Sequence, residues 1–140
     1  MDDLKTVTEL SIIMCKGDHC GEHDDEEIFS VMQHPEMATF IAFYEDIAVG
    51  YARVDIRYER PWTEGEVGPW GHLDTIFVLS DYRKQGIAQA LVSMCEEWAR
   101  ERGCVEFSSD CDLDNDGSLA FHLKVGFHET HRLIHFSKKL

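Results

Sequence analysis

Apolar residues recur along this chain with two different periods, and the changes of period divide it into elements. Leu4, Val7, Leu10, Ile13 and Met14 fall roughly on one face of a helical wheel, which predicts a helix over 3–16. Lys16 to Glu22, with Gly17 and Gly21, reads as a loop. A second helix is expected over 24–33, stopping before Pro35, because proline disfavours helix at the preceding His34. The period then falls to two. Thr39–Tyr44 and Ala48–Ile56, joined by a tight Glu45-Asp46 turn, read as an antiparallel hairpin. Residues 59–71 hold two prolines and three glycines and are expected to form a mobile loop. A strand at 72–79 leads into a helix over 84–102, with Ile87, Leu91, Met94, Cys95 and Trp98 as the inward stripe opposite Glu97, Arg100 and Glu101. Gly103 is a natural residue to end it. A strand over 104–110, a helix over 116–124 and a strand over 127–137 close the pattern, and no repeat or linker interrupts it.

Helices followed by β-β-β-α-β-α-β describe an α+β fold on one mixed, mostly antiparallel sheet flanked by helices. A length of 140 residues suits a single domain, 1–140, with a proper core. The apolar fraction of 44% and the aromatic fraction of 11% argue against disorder. No apolar run approaches the ~20 residues needed to span a bilayer, and no signal-peptide pattern opens the chain, so a cytoplasmic location is expected. The five cysteines are odd in number and lack a framework spacing, which fits reduced thiols. Cys95 lies on the apolar stripe as a small core residue. Cys15, His19, Cys20 and His23 match no familiar zinc spacing, so no metal is expected there.

The formal charge of −14 changes the picture of partners. Such a surface repels nucleic acid and anionic membrane and draws cations inward. The acids cluster in 18–27 (Asp18, Glu22, Asp24, Asp25, Glu26, Glu27), in 110–116 (Asp110, Asp112, Asp114, Asp116) and more loosely at Glu59, Glu64 and Glu66. Each group could be a solvated loop or an acid-rich helix start. Together they could ring one cleft that receives a polycation.

The stretch that carries chemistry is 74–98. An apolar strand, Ile76 to Leu79, runs through a short polar turn into Arg83-Lys84-Gln85-Gly86-Ile87-Ala88 at the start of an amphipathic helix. Free backbone N–H groups and the helix dipole make such a turn an anion site. Gly86 is expected there so that a phosphate can approach where a Cβ would collide. The spacing R-x-x-G-x-A is neither the Rossmann nor the Walker A pattern. It resembles the acetyl-CoA pyrophosphate loop of the GNAT superfamily of N-acetyltransferases, [QR]-x-x-G-x-[GA]. Phe121-His122-Leu123-Lys124-Val125-Gly126-Phe127 resembles the F-Y-x-K-x-G-F element found late in these enzymes. The element order matches theirs from residue 24 onward. GNAT domains usually begin with a strand before the first helix, and here that first strand is expected to be missing.

A closer resemblance joins His72-Leu73-Asp74-Thr75-Ile76-Phe77-Val78-Leu79 and Ser109-Asp110-x4-Asn115 to a subgroup of aminoglycoside 6′-N-acetyltransferases, antibiotic-resistance enzymes with L-E-G-I-F-V and A-S-D-x4-N at these places. It implies transfer of acetyl from acetyl-CoA, as co-substrate, to the 6′-amine of an aminoglycoside, a polycationic small molecule. Asp74 stands where the family has a glutamate that engages the substrate amine, and it is one methylene shorter. Asp110 matches the aspartate of the aminoglycoside site, and Asn115 matches the asparagine near the pantetheine arm. The resemblance further implies that the backbone of Ile76, Phe77 and Val78 pairs with the pantetheine amides. Lys84, Gln85, Gly86, Ile87, Ala88 and Gln89, with Arg83 leading the motif, would hold the pyrophosphate. His122, where most GNATs have tyrosine, would protonate the leaving thiolate or hydrogen-bond its sulfur. Relatives often pair, so a homodimer is expected.

The chemistry stands without the family. An ammonium must lose a proton before it attacks a thioester, so an acceptor is needed within hydrogen-bond reach, and Asp74 or Asp110 could serve through water. A pre-aimed donor, the Val78 N–H, would steady the tetrahedral oxyanion. No covalent enzyme intermediate is called for. Each residue also has a plainer use: Asp74 could pair with Arg53 or Arg57, Asp110 could form a turn, His122 could be a satisfied helix histidine, and Asn115 could cap a helix. Two rival functions remain. One is acetylation of a polyamine or of a lysine or N-terminal amine. The other is a calcium module at 112–123, because Asp112-x-Asp114-x-Asp116-Gly117 matches the first half of an EF-hand loop although Leu123 stands at its twelfth position.

Overall fold

A computed structural model of the chain describes residues 5–7, 9–10, 25–59 and 67–140. It divides into two compact units, Met1–Ser109 and Asp110–Leu140. In the first unit, 5–7 and 9–10 are helical. The order is then α1 (Asp25–Gln33), β1 (Met37–Tyr44), β2 (Ile47–Glu59), β3 (Val67–Val78), a short 3-10 turn (Ser80–Tyr82), α2 (Ile87–Glu101) and β4 (Phe107–Ser109). The strands form one sheet in the order β1-β2-β3-β4. Its first three strands are antiparallel and β4 is parallel to β3, so α2 serves as the crossover that a parallel pair needs. The hairpin turns on Glu45 and Asp46, with φ of 46° and 67°, both left-handed as a type I′ turn requires.

Alternation along β2 sends its side chains to opposite faces of the sheet. Tyr51 looks to one face, where Val7, Leu10 and Ile28 bury against it and Met32, Ile41, Phe77 and Leu79 pack around them. Gly50, Ala52 and Val54 look to the other, which α2 crosses with buried Leu91, Val92, Cys95 and Ala99. α2 seats closely at Gly71. A Cβ there would stand 2.7 Å from Ala99 Cβ and 2.7 Å from Phe107 Cδ2, and the Ala99 Cβ, fixed to its helix, cannot swing away. Gly71→Ala is expected to cost about 1–3 kcal/mol of stability, read as a lower denaturation midpoint with an unchanged m-value.

The structure corrects several expectations. The strand expected at 72–79 begins at Val67, because Gly71, Trp70 and Val67 pair onto the long β2; of the loop expected over 59–71, residues 60–66 lie outside the described residues. The helix expected from 84 begins at Ile87, since Lys84 and Gly86 are left-handed. Its inward stripe runs through Leu91, Val92, Cys95 and Ala99, whereas Met94 is 52% exposed. Gly103 does end the helix, with its N–H on Arg100 O and that of Cys104 on Ala99 O, a Schellman pair. The strand expected over 104–110 is reduced to Phe107–Ser109. In the second unit α3 (Asp116–Lys124) falls where expected, but 127–137 forms no strand. Its alternating pattern carries β-propensity, yet a strand exists only where a neighbour lends it a ladder, and none of the described residues does.

Candidate active site

Of the residues singled out in the sequence, Asp74, Ile76–Val78 and Arg83–Gln89 lie in the first unit, along the C-terminal half of β3 and the start of α2. β4 pairs with β3 only at Gly71, His72 and Leu73, so 74–78 continue with no strand on that side among the described residues. Antiparallel pairing decides which groups face the open side. Leu79 N–H donates to Val49 O at 2.8 Å, so residues 79 and 77 direct their polar groups toward β2. Ile76 and Val78 therefore turn theirs outward. The Val78 carbonyl is already used, accepting from Arg83 Nε at 2.8 Å, and the Arg83 guanidinium lies over the Phe77 ring at 5.9 Å. What the open edge offers is the N–H and C=O of Ile76 and the N–H of Val78. That set suits an arm bearing amides of its own.

Immediately beyond lies the turn. Lys84 (φ 61°) and Gly86 (φ 83°) are both left-handed, a conformation that folds successive amides into an anion-binding concavity. No side chain caps α2, and the first amide to close a helical ring is that of Ala90, onto Gly86 O at 3.0 Å. The amides of Ile87, Ala88 and Gln89 are thereby left without helical partners. Among the described residues, none beyond its own chain neighbours comes within 4 Å of where a Gly86 Cβ would stand. Glycine is demanded there by φ and not by crowding within the protein. The residues present thus fit a diphosphate with a peptide-like arm.

Asp74 sits at an irregularity. Pairing steps from Arg53↔Thr75 to Val54↔Leu73, which leaves Asp74 as the extra residue of a bulge. Bulges re-aim side chains and are frequent beside active sites. Asp74 Oδ2 accepts from Thr75 Oγ1 at 3.1 Å and faces Arg53 Nη1 at 3.8 Å, while Oδ1 faces Arg57 Nη2 at 3.9 Å. The arginine pairing that the sequence left as an alternative is therefore real, with both arginines at once. The side chain remains 39% exposed, so pairing does not close it off.

In the second unit Asp110 is exposed at its start, and Asn115 caps α3, its Oδ1 accepting from Ser118 N–H at 3.1 Å. His122 lies on α3 with its ring beside Phe121 and Phe127 (centroids 5.7 and 5.3 Å). Its Nδ1 is 2.7 Å from Ser118 O. A carbonyl can only accept, so Nδ1 carries the proton, and the neutral ring keeps its lone pair on Nε2. Neutral His122 can thus accept a proton at Nε2, but only the imidazolium could give one to a thiolate. The calcium reading loses its loop: α3 is already helical from Asp116, where an EF-hand loop would have to keep wrapping to residue 123. Among the described residues no three His, Cys, Asp or Glu side chains gather as metal ligands would. Cys95 is no nucleophile either, because burial pushes its thiol up to about 12. Cys15, His19, Cys20 and His23, and most of the acids at 18–27 and 59–66, lie outside the described residues.

A profile of the acetyltransferase (GNAT) family matches residues 6–127. The chain belongs to the GNAT acetyltransferase family. This acetyltransferase is 38% identical over 124 residues to an aminoglycoside N(6′)-acetyltransferase type 1 of Acinetobacter genomosp. 13, covering 85% of this chain and 84% of that one. To the enzyme of the same name from Acinetobacter baumannii it is 44% identical over 94 residues, 66% of this chain and 63% of that one. Among solved structures, the aminoglycoside 6′-N-acetyltransferase AAC(6′)-Ih from Acinetobacter baumannii superposes with a TM-score of 0.84 at 33% identity, covering 99% of this chain and 93% of that one. AAC(6′)-Iy in complex with the bisubstrate analogue CoA-S-monomethyl-acetylneamine gives 0.83 at 30% identity, covering 98% and 92%.

Three features of the acetyltransferase site escaped the sequence reading. The open edge depends on where β4 stops, which is a matter of pairing and leaves no local signal. The Arg83–Val78 bond is likewise a tertiary contact. The third was legible: Arg53-x-Asp55-x-Arg57 on a strand puts three charges on one face.

Proposed function

We propose that this acetyltransferase moves an acetyl group from acetyl-CoA to the 6′-amine of an aminoglycoside by direct attack, without a covalent enzyme intermediate. The observation that carries it is the continuity of the unpaired edge at Ile76–Val78 with the left-handed turn at Lys84–Gly86: an amide-bearing arm and a diphosphate are met in that order along one stretch of chain. The relatives named above supply the acceptor class, and the chain's surplus of acids agrees with a polycation.

Acetyl-CoA brings an activated acyl carbon. The rest is the work of this chain's residues. Lys84 to Gln89 offer amides to the pyrophosphate, and Arg83 braces the turn from behind by gripping Val78 O. Val78 N–H is the donor for charge developing on the acyl oxygen; removing such donors typically costs ~10²–10³ in rate. Asp74 and Asp110 engage the cationic substrate. Asn115 caps α3, and the resemblance gives it the part of the asparagine near the pantetheine arm. His122 would take a proton at Nε2 when neutral, and only as the imidazolium could it give one to the leaving thiolate. The working unit is a homodimer.

Thiol release from acetyl-CoA, measured against kanamycin, tobramycin, spermidine and a basic peptide, tests the reading. Turnover of the two aminoglycosides is expected. Robust acetylation of spermidine or of the peptide with none of either drug would replace the substrate assignment while keeping the reaction.

A further inference from the structure

Acetylation of a polycation sets two electrostatic demands against each other. Acids hold the substrate, yet acids also keep the proton on the amine that must lose it. Among the described residues, the acids around Asp74 on this face of the sheet are balanced by arginines. Arg53, Asp55 and Arg57 stand at alternate positions of β2, on the face that carries Tyr51, and Asp74 meets them from its bulge on β3. Arg57 binds Asp55 through Nε at 3.2 Å and reaches Asp74 through Nη2. Two carboxylates and two guanidinium groups sum to zero, within a chain of −14. The contacts to Asp74 are ion pairs at 3.8 and 3.9 Å and not hydrogen bonds, so its oxygens keep lone pairs for another N–H. The Arg53 side chain is only 11% exposed, and its Nε has no hydrogen-bond partner among the described residues. Its charge is thus little screened.

We propose that Arg53 and Arg57 lower the proton affinity of the acceptor amine docked at Asp74, so that the substrate is held through its other ammonium groups while the reacting one is released as the free base. This rests on the reading of Asp74 as the residue that engages the amine. An ammonium at Asp74 stands within reach of both guanidinium charges, and a like charge disfavours the protonated form. Among the described residues, the other ionisable groups that β2 and β3 carry on this face are committed: Asp55 to Arg57, and His72 Nδ1 to Ser108 Oγ at 2.9 Å. Glu26 on α1 is exposed. The released proton goes to solvent. The neutral nitrogen then bonds to the acyl carbon as the C–S bond breaks, and the remaining surplus proton of the nitrogen ends on the CoA sulfur, giving amide and thiol.

The experiment is the pH profile of kcat/KM for kanamycin in the wild type, Arg57→Gln and Arg57→Lys. The acid limb, where rate rises as the amine deprotonates, is expected to move up by roughly 0.5–1.5 pH units in Arg57→Gln. It should stay in place in Arg57→Lys, with the KM for acetyl-CoA unchanged throughout. Arg57 is 45% exposed, so neither change disturbs the core. Superimposable limbs in the wild type and Arg57→Gln would overturn the proposal, as would an equal shift in Arg57→Lys. A wild type that turns over no amine at all would instead remove the functional reading beneath it.

Discussion

Asp74→Asn is expected to lower kcat/KM toward an aminoglycoside by roughly 10²–10³-fold while leaving acetyl-CoA affinity within about twofold. Asparagine keeps the volume of the side chain and can still accept from Thr75 Oγ1, so the bulge survives. What goes is a charge. Arg53 and Arg57 are left facing Asp55 alone, and a site that was locally neutral carries one net positive charge. The substrate amine then loses its acceptor and meets repulsion. Restoring the carboxylate as Asp74→Glu, the residue the resembling enzymes carry, should keep most of the activity. Steady-state kinetics with varied drug, together with calorimetry of acetyl-CoA binding, separates the two sites. Unchanged rates in Asp74→Asn would take this residue out of the mechanism.

Gly86→Val should show the opposite split: at least a tenfold rise in KM for acetyl-CoA, with the protein still folded. A φ of 83° is open to glycine and costs an L-residue roughly 1–2 kcal/mol, more for a β-branched one. Because none of the described residues beyond the chain neighbours lies within 4 Å of the new Cβ, the penalty is one of backbone conformation and the core is untouched. The turn either relaxes, scattering its amides, or keeps its shape and presents a branched side chain where a phosphate has to come close. Both outcomes weaken the donor and spare the acceptor. An acetyl-CoA KM equal to that of the wild type in a folded Gly86→Val protein would mean that the pyrophosphate is held elsewhere.

Much of this was readable from residue order, and the reasons differ by element. The hairpin at Glu45-Asp46, α1 before Pro35 and α3 behind the Asn115 cap follow from local signals, and each lies within a few residues of expectation. Elements whose limits depend on a distant partner were placed less well. β3 gains residues 67–71 because β2 is long enough to pair with Gly71, Trp70 and Val67. β4 keeps only three, and 127–137 none, although their alternation is as good as that of β1. The same division runs through the site. Gly86 and the turn around it are local, so the motif sufficed to place them. The environment of Asp74 is built across two strands and a bulge, and no spacing rule could say that it meets two arginines at once. His122 was singled out by its motif, but which ring nitrogen carries its proton follows only from its contact with Ser118 O.

The shortness of β4 carries a consequence for the protein outside catalysis. Among the described residues no strand meets the outward N–H groups of Ile76 and Val78, and in the proposed reading the arm of the acyl donor bridges that gap. Resistance to heat is then coupled to donor supply, because a compound that binds only the native chain raises its melting free energy by about 2.7 kcal/mol at a hundred times its dissociation constant. In a cell rich in the donor this chain is sturdier than when starved of it.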